Sequence, residues 1–271
     1  MQAQQTSNMP ALSPWWLPVA VDCDQSWQYT LGPLTLYLQR LRAEWLLGYT
    51  VSQEFEDYHL LRSGSISRLP ELENLQRFIF RQSPGQFCLK PTLLDRPVVV
   101  KTRKQLNIPP GEQAVFYISS PVVVEVALQQ PDCKLADITS QRLSDTWFGP
   151  STLHGELCYA DRTRARHNRA ELSARPHRAV TAVTIENNAD TMLVLDKLSI
   201  PVPYLALYGL ADGSLWTDPI TLHHDGNHAL TRFKISRQLP EGVTEQDRIS
   251  APRQAIEKQG LIRAFTGIFN D

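Results

Sequence analysis

Leu106-Asn107-Ile108-Pro109-Pro110-Gly111-Glu112 runs on through Tyr117 to Pro121-Val122-Val123-Val124, and about 90 residues later the same order returns. The second copy is Leu198-Ser199-Ile200-Pro201, then Tyr208, then Pro219-Ile220-Thr221-Leu222. Proline lacks the N–H that a strand ladder needs, so it marks strand ends. Pro-Pro-Gly supplies the fixed and the permissive φ of a tight reversal. The β-branched residues on either side favour extended chain. Two such stretches in tandem point to two related β units.

The surroundings agree. Leu34, Leu36 and Leu38 alternate with Thr35, Tyr37 and Gln39, the period of a strand with one buried face. Val98-Val99-Val100 suits a strand buried on both faces. Asp212-Gly213 and Asp225-Gly226 are hairpin-tip dipeptides. Turns every 8–12 residues argue for sandwiches or a barrel rather than a doubly wound sheet. The expected fold is mainly β: two tandem β-sandwich-like units with a C-terminal α-helix. The units are expected at 15–135 and 151–249, after a disordered N-terminus at 1–14, with the boundary inside the polar segment 129–150. At the C-terminus the period changes. Ser250 is placed to cap a helix with Pro252 in its first turn, and Leu261, Ala264, Phe265 and Ile268 share a helical face. The helix is expected within 250–271, packed on the β units.

The chain has 271 residues, enough for one large core or two domains. Its net charge of −1 offers no field for nucleic acid or an anionic membrane. Nineteen prolines against 13 glycines fit many short strands. Cys23, Cys88, Cys133 and Cys158 lack metal-finger spacing and read as reduced thiols. Disulfides in an exported protein are the alternative reading. Neither a signal sequence nor an 18-residue apolar run is seen, so the expected location is the cytoplasm, with no transmembrane segment.

Arg162, Arg164 and Arg166 recur at period two, with Arg169, Arg175, His177 and Arg178 close behind. On a strand the first three guanidiniums would line one face about 7 Å apart. Such a row grips phosphates or carboxylates, so Arg162, Arg164, Arg166 and Arg169 are the candidate anion or partner site. The plainer reading is a charged edge strand. Trp216, with Tyr204, Tyr208, Trp147 and Phe148, forms a candidate ligand platform, although aromatics in β proteins are usually core. His224, Asp225 and His228 form a candidate metal group, weakened because His223 and His224 point to opposite faces and a hairpin tip needs Asp-Gly for itself. No P-loop, dinucleotide fingerprint, nucleophile elbow or zincin motif occurs, and no cofactor is implied.

From Arg96-Pro97-Val98-Val99-Val100 through Asn107-Ile108-Pro109-Pro110-Gly111-Glu112 to Pro121, the chain resembles the DUF432 family. Val183-Thr184-Ile185-Glu186-Asn187, Leu198-Ser199-Ile200-Pro201, Leu205-Ala206-Leu207-Tyr208, Leu215-Trp216-Thr217 and Leu261-Ile262-Arg263-Ala264-Phe265 add to the likeness, which spans about residues 30 to 269. The resemblance implies a domain of unknown function with no active-site residues to carry over. It also implies a membrane-adjacent accessory role beside mechanosensitive channels.

The leading functional expectation is a non-enzymatic cytosolic binding or accessory protein with a protein partner, membrane-associated proteins included, and no nucleic acid. Two alternatives stand beside it: a hydrolase or carbohydrate-active enzyme with a loop-borne site between the units, and a small-ligand binding module.

Overall fold

The structure is a computed structural model that describes residues 14–53, 57, 59–130, 132–149, 151, 153–161, 166–169, 172–226, 231–236, 238–255, 261–264 and 266–267. Regular structure is almost entirely strand. The first half of the chain gives β1 (Val19–Ala20), β2 (Ser26–Leu31), β3 (Leu34–Arg40), β4 (Glu44–Val51), β5 (Leu61–Ile66), β6 (Gln76–Ile79), β7 (Gln86–Thr92), β8 (Val98–Ile108), β9 (Gln113–Pro121), β10 (Val123–Gln129) and β11 (Cys133–Thr139). The second half gives β12 (Ser144–Phe148), β13 (Glu156–Asp161), β14 (Arg178–Asn187), β15 (Leu193–Ile200), β16 (Leu207–Gly209), β17 (Leu215–Thr217), β18 (Ile220–His224), β19 (Thr231–Ile235), β20 (Arg248–Ser250), β21 (Leu261–Ala264) and β22 (Thr266–Gly267). The 3-10 turns Val202–Tyr204 and Glu245–Asp247 interrupt them.

These strands form four sheets. A first sheet runs β1-β7-β10-β11 and a second β5-β2-β3-β4-β6. The Leu34, Leu36 and Leu38 side of β3 is fully buried, as its alternation requires. Trp45 of the second sheet meets Phe87 of the first edge-on, ring centroids 6.2 Å apart, while its Nε1–H donates to Pro84 O at 3.0 Å. A third sheet runs β12-β13-β8-β15-β22. There Val98, Val99 and Val100 are all buried, so β8 is covered on both faces.

The fourth sheet is organised around β14. Strand β9 lies antiparallel along one edge of β14, from Arg178↔Pro121 to Glu186↔Gln113. Because β14 has only two edges, β17 and β18 must share the other, both parallel to it. The register gains one residue between Val180↔Trp216 and Val183↔Ile220, absorbed at Asp218-Pro219, where proline has no N–H to pair. Strands β16 and β20 extend the β17 side, and β19 and β21 the β18 side.

Strand pairing crosses the boundary expected at 129–150. β8 pairs with β15 and β9 with β14, and one continuous apolar core runs from Trp15 to Phe233. The repeated segments end adjacent antiparallel strands, with Leu106 opposite Leu195 and Ile200 opposite Val98.

Among the described residues the expected C-terminal helix is not there, and Phe265 and Ile268 of its apolar face lie outside them. Ser250 lies in β20 opposite Leu207, its side chain buried, so it does not cap. Arg253 donates to Thr92 Oγ1 at 2.8 Å and to Leu93 O, and Gln254 N donates to Pro203 O at 3.0 Å, which ties the chain to the end of β7 and to the Val202–Tyr204 turn. Residues 261–264 then pair with β19. A helical period over a few apolar residues was outweighed by an open strand edge whose N–H and C=O groups needed partners. Among the described residues no helix is long and apolar enough to cross a membrane.

Candidate functional site

Strand parity divides the β14 sheet into two faces. Phe116, Ile118, Ala179, Val183, Ile185 and Leu215 point into the main core. Tyr117, Val180, Tyr208 and Trp216 point the other way and make a second cluster with Ala206, Leu239 and Val243. Tyr208 is the cross-strand partner of Trp216. Tyr117 meets Trp216 edge-on, centroids 6.2 Å apart at 88°. The tyrosines of the two repeated segments therefore flank one tryptophan.

Residues 166–169 run along the edge of β9 that β14 leaves open. Arg166 and Tyr117 exchange both backbone hydrogen bonds, at 2.7 and 3.1 Å. The His167 ring lies 4.3 Å from Phe116 between centroids. Leu172 N donates to Arg169 O at 3.0 Å, and Leu172 packs on the Trp216 cluster. These anchors put the Arg169 guanidinium over the Trp216 ring, Cζ 4.7 Å from the centroid. The indole face attracts the cation and fixes its plane.

Of the arginine row, Arg162 and Arg164 lie outside the described residues, so the expected three-guanidinium face is seen only at Arg166. The candidate platform is brought together in part. Tyr208 and Trp216 are neighbours but buried, Tyr204 sits in the turn at Val202–Tyr204, and Trp147 and Phe148 belong to β12 in another sheet. In the candidate metal group His224 is buried on β18, while Asp225 is exposed beside Gly226, whose φ is +83°. His228 lies outside the described residues. His223 faces the other way and meets Glu186 at 2.7 Å. Among the described residues no group of three His, Cys, Asp or Glu side chains could hold a metal ion.

Sequence reasoning missed the acidic residues of this face. Asp218, at the register shift, accepts from Ala206 N at 2.6 Å and from the Tyr208 hydroxyl at 2.9 Å. Glu245 Oε1 stands 3.5 Å from the same hydroxyl. Burial pushes the Asp218 carboxyl above its usual range, opposed by those two hydrogen bonds. Burial and the bond to Asp218 raise Tyr208 as well. Only the break before Pro219 hinted at Asp218.

Arg178 proved structural. It donates to Ser119 Oγ at 3.1 Å, Ser119 O at 2.6 Å, Gln141 Oε1 at 2.8 Å and Asp161. The hydroxyl of Ser199 donates to Glu156 at 3.3 Å beside Cys158. Burial pushes the Cys158 thiol up to about 12, so no thiolate nucleophile is on offer there. All four cysteines are free.

Fold and site define a multi-sheet β protein carrying an arginine held on a buried aromatic face. The DUF432 family, described as "Protein of unknown function", matches residues 15–270, and the chain belongs to it. No curated protein and no solved structure matches the chain.

Proposed function

We propose that this is a non-enzymatic binding or accessory protein that engages an acidic partner through the Arg166–Arg169 segment. The observation that carries it is the Arg169 guanidinium, stacked on Trp216 and 35% exposed. Stacking removes much of the side-chain entropy that an arginine loses on binding, and leaves the edge N–H groups for a carboxylate or phosphate. The location proposed is the cytoplasm, which four free thiols fit. The fold is read as two sandwich-like pairs of sheets, one meeting at Trp45 and Phe87, the other enclosing an apolar cavity lined by Val100, Leu106, Phe116, Ile118, Ile185 and Leu195.

The test is capture of partners by the wild type and by an Arg166→Ser/Arg169→Ser variant, from soluble and detergent-solubilised membrane fractions separately. An acidic partner kept by the wild type and lost by the variant is expected. Equal capture by both removes the segment from the function.

One observation favours a second reading, a hydrolase. Asp218, with its raised pKa, and Glu245 converge on one hydroxyl, a pairing that acid–base chemistry can use. Hydrolysis of a glycoside panel that disappears in both Asp218→Asn and Glu245→Gln would favour it.

A further inference from the structure

Arg169 has a second neighbour. Glu241 Oε2 stands 3.9 Å from its Nη1, and the Glu241 side chain is 97% exposed. The backbone delivers this carboxylate deliberately. Val243 N donates to Pro240 O at 3.0 Å, closing a tight turn with Glu241 at its tip. Gly242 holds φ +77°, the value that the third position of such a turn requires, and an added Cβ there would meet nothing. The glycine is thus needed for backbone shape rather than for space. Both flanks of the turn are fixed, because Val243 is buried and Leu239 packs against the same Trp216 cluster that carries Arg169. Just beyond, Thr244 and Asp247 close a capping box that holds the chain's direction.

The two partners differ in freedom. Arg169 is held by the indole, whereas Glu241 is solvated on nearly all sides and free to swing. An exposed pair of this kind is weak, and an external carboxylate can replace it without disturbing the fold. Arg178, by contrast, is saturated by Ser119, Gln141 and Asp161 and offers nothing to a partner.

We infer that Glu241 is a built-in occupant of Arg169, and that the site takes an acidic peptide segment in competition with it. The inference rests on the proposed role of Arg169 and adds the partner's chemistry and its regulation. Tethering makes Glu241 a local competitor at high effective concentration. Because exposed pairs are worth little, its removal should tighten binding only about two- to fivefold.

A fluorescein-labelled hexaglutamate peptide, followed by anisotropy at low ionic strength, tests this on the full chain. Glu241→Gln should tighten binding about two- to fivefold. Glu241→Asp keeps the charge but shortens the reach past the 3.9 Å contact, and should tighten binding similarly. Glu73→Gln, an exposed carboxylate in the β2–β6 sheet region, controls for net charge and should change nothing. Arg169→Gln should weaken binding, with its thermal unfolding measured alongside to exclude a folding defect. If Glu241→Asp binds as the wild type does, or Glu73→Gln matches Glu241→Gln, the occupancy is overturned while the Arg169 site stands. If a folded Arg169→Gln binds as well as the wild type, or if neither wild type nor Glu241→Gln binds, the site itself is overturned.

Discussion

Arg178 and Asp161 form an ion pair in which both side chains are only 6% exposed, at the point where β13 ends and β14 begins. Gln141 and Ser119 occupy the remaining donors of the guanidinium. Removing one member leaves the other charge buried without its partner, which costs about 3–5 kcal/mol. Arg178→Met is expected to lower the unfolding free energy by that amount in urea. The double variant Arg178→Met/Asp161→Leu should recover part of it. Additive losses in the double-mutant cycle would mean that the two residues act independently.

His177, just before Arg178 in the chain, is wholly buried, and burial, with Arg178, Arg175 and His59, depresses its imidazole to about 3. The sign follows from linkage. The unfolded chain takes up a proton near 6.5 and the fold does not, so this contribution is present above pH 6.5 and is lost as pH falls toward 3. The slope in that window reaches about 1.4 kcal/mol per pH unit. His177→Gln cannot protonate, so its stability should converge on that of the wild type, or pass it, between pH 6.5 and 4. A constant gap over that range would rule the imidazole out as the source.

The alternation of Leu34, Leu36 and Leu38 and the doubly buried Val98–Val100 were legible because period and β-branching act within one strand. Which strands pair was not. β9 and β14 are joined across about 60 residues by a register that no local pattern encodes. The helix expected after Ser250 failed for a related reason: apolar spacing is local, whereas Arg253 is fixed by Thr92 and Leu93 on a distant strand. Arg169 and Trp216 were both singled out in the sequence, but as members of different groups. Their contact depends on the Arg166–Tyr117 backbone bridge, which leaves no compositional trace.

Gly32 joins the β2–β3 turn to His177. Its φ is +55°, and a Cβ built on it would lie 2.3 Å from His177 Nδ1. Gly32→Ala therefore meets two penalties, the left-handed backbone and a collision with a wholly buried ring. Together they should cost roughly 2–4 kcal/mol. Thermal unfolding of Gly32→Ala beside Gly111→Ala checks this, since Gly111 also holds a positive φ, +73°, while a Cβ there meets nothing. Similar losses in both would show that the His177 contact contributes nothing.

Tyr208 and Asp218 are the pair through which pH should reach the candidate site. Burial raises the Asp218 carboxyl above 3.8, so its protonated form is the one the fold favours. The resulting stability is fully present below the unfolded value near 3.8 and is lost as pH rises through the higher folded value. Tyr208 opposes this by donating to the ionised carboxylate. Tyr208→Phe removes that bond, and should cost about 1.5–3 kcal/mol at neutral pH, where the carboxylate needs it most. It should also move the Asp218 midpoint further up, read from its carboxyl carbon by NMR, because a hydrogen bond that pulled the pKa down has gone. An unchanged midpoint with lost stability would assign the hydroxyl's role to packing instead.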